Sequence, residues 1–257
     1  MKVFILAGGY GTRLSEFTSD IPKPAVVIGN KPMIFHILDI YSKQGFNEFV
    51  ILLGYKSEIL KRCFINYSLE NSDLNIDLKD GSIKKINESN SNWKVTLVDT
   101  GLHTLTGGRL LRAKEYIDGR FLMTYGDGLG NINITKLINT HEKTKAIATM
   151  TAVRPPARFG ELSINNTNIV TSFEEKRSLG EGFINGGFFV LEPEIINYID
   201  DFDTMLERKP LNTLCGQGKL AAYCHEGFWQ CMDNKREYDL LNSEADNESI
   251  NPWLNIE

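Results

Sequence analysis

The chain has 257 residues, 42% of them hydrophobic and 24% charged, which is the balance of an ordinary globular protein long enough to bury a substantial core. Its formal net charge of −5 speaks against a nucleic-acid surface as the main partner, yet leaves room for a small basic pocket that takes an anionic substrate. No apolar run approaches the roughly eighteen residues of a membrane span, and Cys63, Cys215, Cys224 and Cys231 lack metal-ligand spacing, so a cytoplasmic protein with reduced thiols is expected.

Val3–Ala7 is a short apolar run that ends in glycines, as a central strand feeding a ligand loop does; it is too short for the core of a signal peptide. Residues 15–30 are polar and punctuated by proline, and a loop is expected. Residues 34–44 have helical apolar spacing with Gly45 as the stop, Glu48–Leu53 reads as a strand and 59–67 as a helix. This alternation predicts a parallel sheet with crossovers. Residues 74–78 and 83–86 flank Lys79-Asp80-Gly81-Ser82, a hairpin pattern. A strand at 93–98, a helix at 108–117, a buried strand Phe121–Tyr125 and a helix at 134–143 follow. Strands are then expected at 146–153, 160–164, 169–173 and 183–191 with few helices between them. Short helices at 194–199 and 211–216, strands at 220–224 and 228–232 and a helix at 236–244 complete the pattern, and 245–257 has little periodicity. The expected fold is α/β, a Rossmann-like three-layer arrangement with a mixed, mostly parallel sheet and a smaller β-rich lobe. Residues 1–135 would form a nucleotide-binding half, 136–244 an acceptor-binding half, and 245–257 an arm or poorly ordered tail.

Gly8-Gly9-Tyr10-Gly11-Thr12-Arg13 follows the first strand directly, where glycines let backbone N–H groups approach phosphate oxygens. It is not a P-loop, for no lysine stands at the required place, and not a dinucleotide fingerprint, for Leu14 replaces the third glycine. Arg13 adds a cationic fork and Thr12 a hydroxyl. Ten residues on, Pro22-Lys23-Pro24 braces one lysine between two rigid residues, either a preorganised ammonium for phosphate or a solvated surface lysine. Asp127, between two glycines after a buried strand, and Asp233, after the run 228–232, are two carboxylates at strand ends. They suit either a shared Mg²⁺ or ordinary turns. Arg109 at the start of a helical stretch has the fork to meet the O2 and N3 acceptors of cytosine, or else lies on a helix surface. No nucleophile elbow is present, and His36, His103, His141 and His225 stand in unrelated contexts, with His36 on the apolar face of a helix.

The motif L-A-G-G-x-G-T-R-L followed by P-K-P resembles the signature of sugar-nucleotide pyrophosphorylases. The segments Leu97-Val98-Asp99-Thr100-Gly101, Thr106-Gly107-Gly108-Arg109-Leu110, Thr124-Tyr125-Gly126-Asp127-Gly128, Arg158-Phe159-Gly160, Ile184-Asn185-Gly186-Gly187 and Gly227-Phe228-Trp229-Gln230 narrow the resemblance to glucose-1-phosphate cytidylyltransferases, over residues 1 to about 240. The resemblance implies a cytidylyltransferase that joins CTP to glucose 1-phosphate and releases pyrophosphate, with Mg²⁺ on Asp127 and Asp233 and a homo-oligomeric assembly. Lys23 and Arg13 are implied as catalytic. Leu6, Gly8, Gly9, Gly11, Thr12, Arg13, Thr106, Arg109 and Asp127 are implied at the nucleotide, and Tyr125, Gly126, Glu175, Lys176, Asn185 and Gly186 at the acceptor, with Trp229 either a wall of the site or a core aromatic. The chain departs from the family pattern at Asp20-Ile21, at 154–157 and at 177–182, near the expected acceptor pocket, so a different sugar phosphate or a non-sugar phosphate remains the alternative. A catalytically silent nucleotide-binding subunit is a third reading, disfavoured because Lys23, Asp127 and Asp233 are all kept.

Overall fold

Every residue of the first strand, β1 (Val3–Ala7), is buried, because its neighbours cover both of its faces. Val3, Ile5 and Ala7 point to one apolar layer, and Phe4 and Leu6 to the other. The computed structural model describes residues 1–12, 20–87, 91–155, 161–165, 167–174, 182–247 and 251–256. After β1 come β2 (Val27–Ile28), β3 (Lys31–Pro32), α1 (Met33–Ser42), β4 (Glu48–Leu53), α2 (Ser57–Glu70), β5 (Asp73–Asp77), β6 (Ser82–Asn87), β7 (Lys94–Asp99) and α3 (Thr106–Arg112). The chain continues through β8 (Phe121–Tyr125), β9 (Gly128–Gly130), α4 (Ile134–Thr144), β10 (Ala148–Val153), β11 (Glu161–Ile164), β12 (Val170–Glu174) and β13 (Ile184–Leu191). It closes with α5 (Lys209–Gly216), β14 (Leu220–His225), β15 (Trp229–Cys231) and α6 (Lys235–Asn247).

The central sheet has the order β14-β10-β13-β8-β1-β4-β7. All its pairings are parallel except those of β13, which runs antiparallel to both β8 and β10. One face packs against α1, α2, α4 and α6, and the other against α3 and α5, which gives three layers. The expected α/β class with a mixed, mostly parallel sheet is therefore borne out. Strands β10, β13 and β14 from the later part of the chain join this same sheet, whereas β11 and β12 form a separate hairpin.

Two local expectations change. The helix expected at 108–117 begins at Thr106 and gives way after Arg112 to a single 3-10 turn, Lys114–Tyr116. The stretch 251–256 is no loose tail: a 3-10 turn, Pro252–Leu254, seats Trp253 at 0% exposure against His36 and Phe228. One large aromatic anchors it, so it needs no periodic pattern.

Candidate active site

Strands β1, β4, β7 and β8 are parallel, so their C-terminal ends open on one edge of the sheet, where open α/β folds place ligands. The glycine loop leaves β1 there, and Tyr125-Gly126-Asp127 leaves β8. Because β13 runs the other way, its beginning, Asn185 and Gly186, reaches the same edge. Asp233 arrives by a different route. β15 pairs antiparallel with β9, and the Met232 N–H donates to the Asp127 carbonyl at 2.8 Å, which sets the two aspartates side by side.

Lys23 lies in a one-turn 3-10 helix, Lys23–Ala25, between its two prolines and is only 7% exposed. That turn sits on the end of β8: a Cβ on Gly126 would come within 2.8 Å of the Pro24 ring and 3.1 Å of the Leu6 carbonyl oxygen. The Lys23 Nζ donates to Asp127 Oδ2 at 2.8 Å and to Asp233 Oδ1 at 2.5 Å. Burial works against the ammonium charge, but the two carboxylates outweigh it and raise the lysine above its ordinary value. Two carboxylates converging on one cation form a donor set of the hard oxygen type that a divalent metal takes, so these residues fit a metal site.

Two cavities meet at this cluster. The larger, about 530 Å³, is lined by Leu6, Gly8, Gly9, Gly11 and Thr12 on one side and by Thr106 and Arg109 on another. The smaller, about 280 Å³, is lined by Asn185, Gly186, Trp229 and Cys231. Tyr125, Asp127 and Asp233 border both, while Lys23 and Gly126 face the larger. Trp229 is a wall of the smaller cavity, fixed by its Nε1–H to the Gly186 carbonyl at 2.7 Å. Burial, reinforced by nearby carboxylates, pushes the Cys231 thiol up to about 12, so it stays neutral there. Arg13, Glu175, Lys176 and Arg158-Phe159-Gly160 lie outside the described residues.

Arg109 lines the larger cavity but its fork is turned to the protein. It is 4% exposed. Nη1 donates to the carbonyls of Leu53 and Gly101, both at 2.9 Å, and to Thr100 Oγ1 at 2.6 Å, and Nη2 donates to the Gly8 carbonyl at 2.8 Å. A Cβ on Gly8 would fall 2.2 Å from Nη1, so glycine is what lets the loop close over the arginine. Nη1 and one N–H of Nη2 thus tie together the ends of β1, β4 and β7, adding to the hydrogen bonds that the Gly8 and Leu53 carbonyls already accept from the Tyr55 and Thr100 N–H groups.

Glu207, which stands in no motif, is the residue that sequence reasoning missed. Its carboxylate accepts from the Tyr125 hydroxyl at 2.5 Å and from Thr106 Oγ1 at 2.6 Å. The Asn185 Nδ2 in turn donates to the Tyr125 hydroxyl at 3.3 Å. Burial and then the Glu207 charge push the Tyr125 hydroxyl well above the ordinary phenol range, which keeps it a donor. His103 lines the larger cavity beside Tyr10, whereas His36 and His141 serve the scaffold. His36 is buried with Nε2 on the Ile28 carbonyl, and His141 bridges Thr149 and Glu192.

A nucleotidyl transferase family model matches residues 2–231. The chain is 47% identical over 239 residues to the glucose-1-phosphate cytidylyltransferase of Salmonella typhimurium, covering 92% of this chain and 93% of that one. It is 46% identical over 235 residues to a probable glucose-1-phosphate cytidylyltransferase of Bacillus subtilis, covering 91% of each. Among solved structures, HddC from Yersinia pseudotuberculosis superposes with a TM-score of 0.69 at 25% identity, over 94% of this chain and 98% of that one. With the family model spanning most of the sequence and curated relatives near half identity along nine-tenths of it, the chain belongs to the nucleotidyl transferase family.

Proposed function

We propose that the protein condenses CTP with glucose 1-phosphate to give CDP-glucose and pyrophosphate. The observation that carries this reading is the meeting of two cavities at Lys23, Asp127 and Asp233, one large enough for a nucleotide and one of the size of a sugar. The curated relatives near half identity, named for this activity, supply the identities of the two substrates.

The glycine loop and Thr12 would cradle the triphosphate with backbone N–H groups, aided by Arg13, and the smaller cavity would orient the sugar through Tyr125, Asn185 and Gly186, aided by Glu175 and Lys176. An ionised oxygen of the acceptor phosphate attacks the α-phosphorus in line. A new P–O bond forms, the bond from the α-phosphorus to the bridging oxygen breaks, and pyrophosphate carries away the electron pair. The attacking oxygen is already deprotonated, so no general base is required. Lys23 would turn from its aspartates to the phosphate oxygens and stabilise the charge developing there. Mg²⁺, held by Asp127 and Asp233, would supply charge neutralisation at the phosphates. Arg109 would act by fixing the loops that frame the nucleotide cavity.

The test is pyrophosphate release with CTP, UTP, GTP and dTTP against a panel of sugar 1-phosphates and non-sugar phosphates. The reading expects CTP with glucose 1-phosphate to give the highest kcat/KM. A higher value with another acceptor would keep the nucleotidyl transfer and replace the sugar.

A further inference from the structure

We propose that Glu207 determines substrate specificity by accepting a hydrogen bond from a sugar hydroxyl of a bound substrate; this rests on the nucleotidyl-transfer reading of the two cavities. Glu207 lies on the wall of the larger cavity beside Tyr125, one of the three residues that border both. Each of its carboxylate oxygens takes one hydroxyl, from Tyr125 and from Thr106, so the group is held at two points. Both hydroxyls have their other side engaged: the Tyr125 oxygen accepts from Asn185 Nδ2, and Thr106 Oγ1 accepts from the Leu206 N–H at 2.9 Å. Their direction is therefore fixed, with both O–H groups pointing at Glu207.

An ionised carboxylate offers about four lone-pair positions, and groups of the described residues fill two of them. Among the described residues no cation pairs with it. A ligand group that meets the remaining lone pairs must be a donor. A phosphate oxygen is excluded by like charge, whereas a hydroxyl fits. Hydroxyl donors belong both to the ribose of the nucleotide and to the hexose of the acceptor, and Glu207 lies in the larger cavity against Tyr125, which also borders the smaller.

The experiment compares kcat/KM of the wild type and of Glu207→Gln with CTP, 2′-deoxy-CTP and 3′-deoxy-CTP, and with glucose 1-phosphate and its singly deoxygenated forms. Loss of the one hydroxyl that reaches a charged acceptor is expected to cost the wild type roughly 10- to 100-fold. The same deletion is expected to cost Glu207→Gln several-fold less. Coupling to a ribose hydroxyl assigns the contact to the nucleotide, and coupling to a hexose hydroxyl assigns it to the acceptor. Equal penalties in both proteins for every analogue would overturn the proposal. So would a wild type that tolerates every deletion within about threefold, a readout that does not depend on the variant folding. Failure of the wild type to turn over CTP with any sugar phosphate would instead remove the reading beneath it.

Discussion

Arg109 shows what a residue's type reveals and what it conceals. Its fork and its position at a helix start were legible, and cytosine was a reasonable partner. Which carbonyls surround it was not, because the ends of β1, β4 and β7 converge only in three dimensions. Arg109→Lys leaves one ammonium to serve acceptors that a planar group now joins, and is expected to destabilise the fold by about 2–4 kcal/mol. CTP and UTP should both bind more weakly, with their ratio unchanged. Urea unfolding and competitive calorimetry measure the two effects, and a collapsed CTP-to-UTP ratio would restore the arginine as a base reader. Lys23, Asp127 and Asp233 were legible because short motifs carry them, whereas Glu207 stands in a polar stretch whose only signal is its place in the fold. His36 adds a pH dependence. Burial lowers its pKa to about 4 from an ordinary 6.5. Between those values the unfolded chain binds more protons than the folded one, so stability is full above about pH 6.5 and falls as the pH drops towards 4. The slope of unfolding free energy against pH should be shallower in His36→Gln over that window, and an unchanged slope would place the titration elsewhere.

At the scale of elements, the periodic helices and apolar strands were legible, since half-buried faces write their period into the sequence. Elements held by close approach were not. Helix α3 opens on Gly107 and Gly108, poor helix formers, because a Cβ on Gly108 would sit 2.0 Å from the Phe202 carbonyl oxygen. The crossing of 202–204 therefore fixes where the helix starts, through the Gly107 N–H on the Thr204 carbonyl and the Leu105 N–H on that of Phe202. The C-terminal segment is similar. Besides Trp253, it is tied by Asn131 Nδ2 to the Asn255 carbonyl at 2.9 Å. Trp253→Ala is expected to cost about 3–5 kcal/mol, the range for emptying a large aromatic site. Thermal and urea unfolding would report this, and a loss under 1 kcal/mol would mean that the segment closes over the gap.

Across the whole molecule, the carboxylates that meet Lys23 come from distant parts of the chain, one after β8 and one after β15. If both serve one metal ion, they act as a unit. Asp127→Asn alone should remove most of the activity, Asp233→Asn should add little to it, and raised Mg²⁺ should partly rescue each single variant. Metal titration by calorimetry reads the shared site without turnover. Additive losses with independent metal affinities would assign the two residues to separate tasks.

The reversed strand β13 has a mechanical consequence. It is bonded to β8 from Phe188↔Thr124 to Leu191↔Phe121, with Phe188, Phe189, Val190 and Leu191 fully buried. The end of β8, which borders both cavities, and the start of β13, which lines the smaller, thus belong to one continuous ladder. Closure over substrates is therefore expected from loops at the sheet edge, such as 8–12 and 101–105, rather than from a swing of two bodies. Amide hydrogen exchange would register the difference: substrates should slow exchange in those loops, while the β8–β13 amides exchange only through global unfolding, whether the cleft is full or empty.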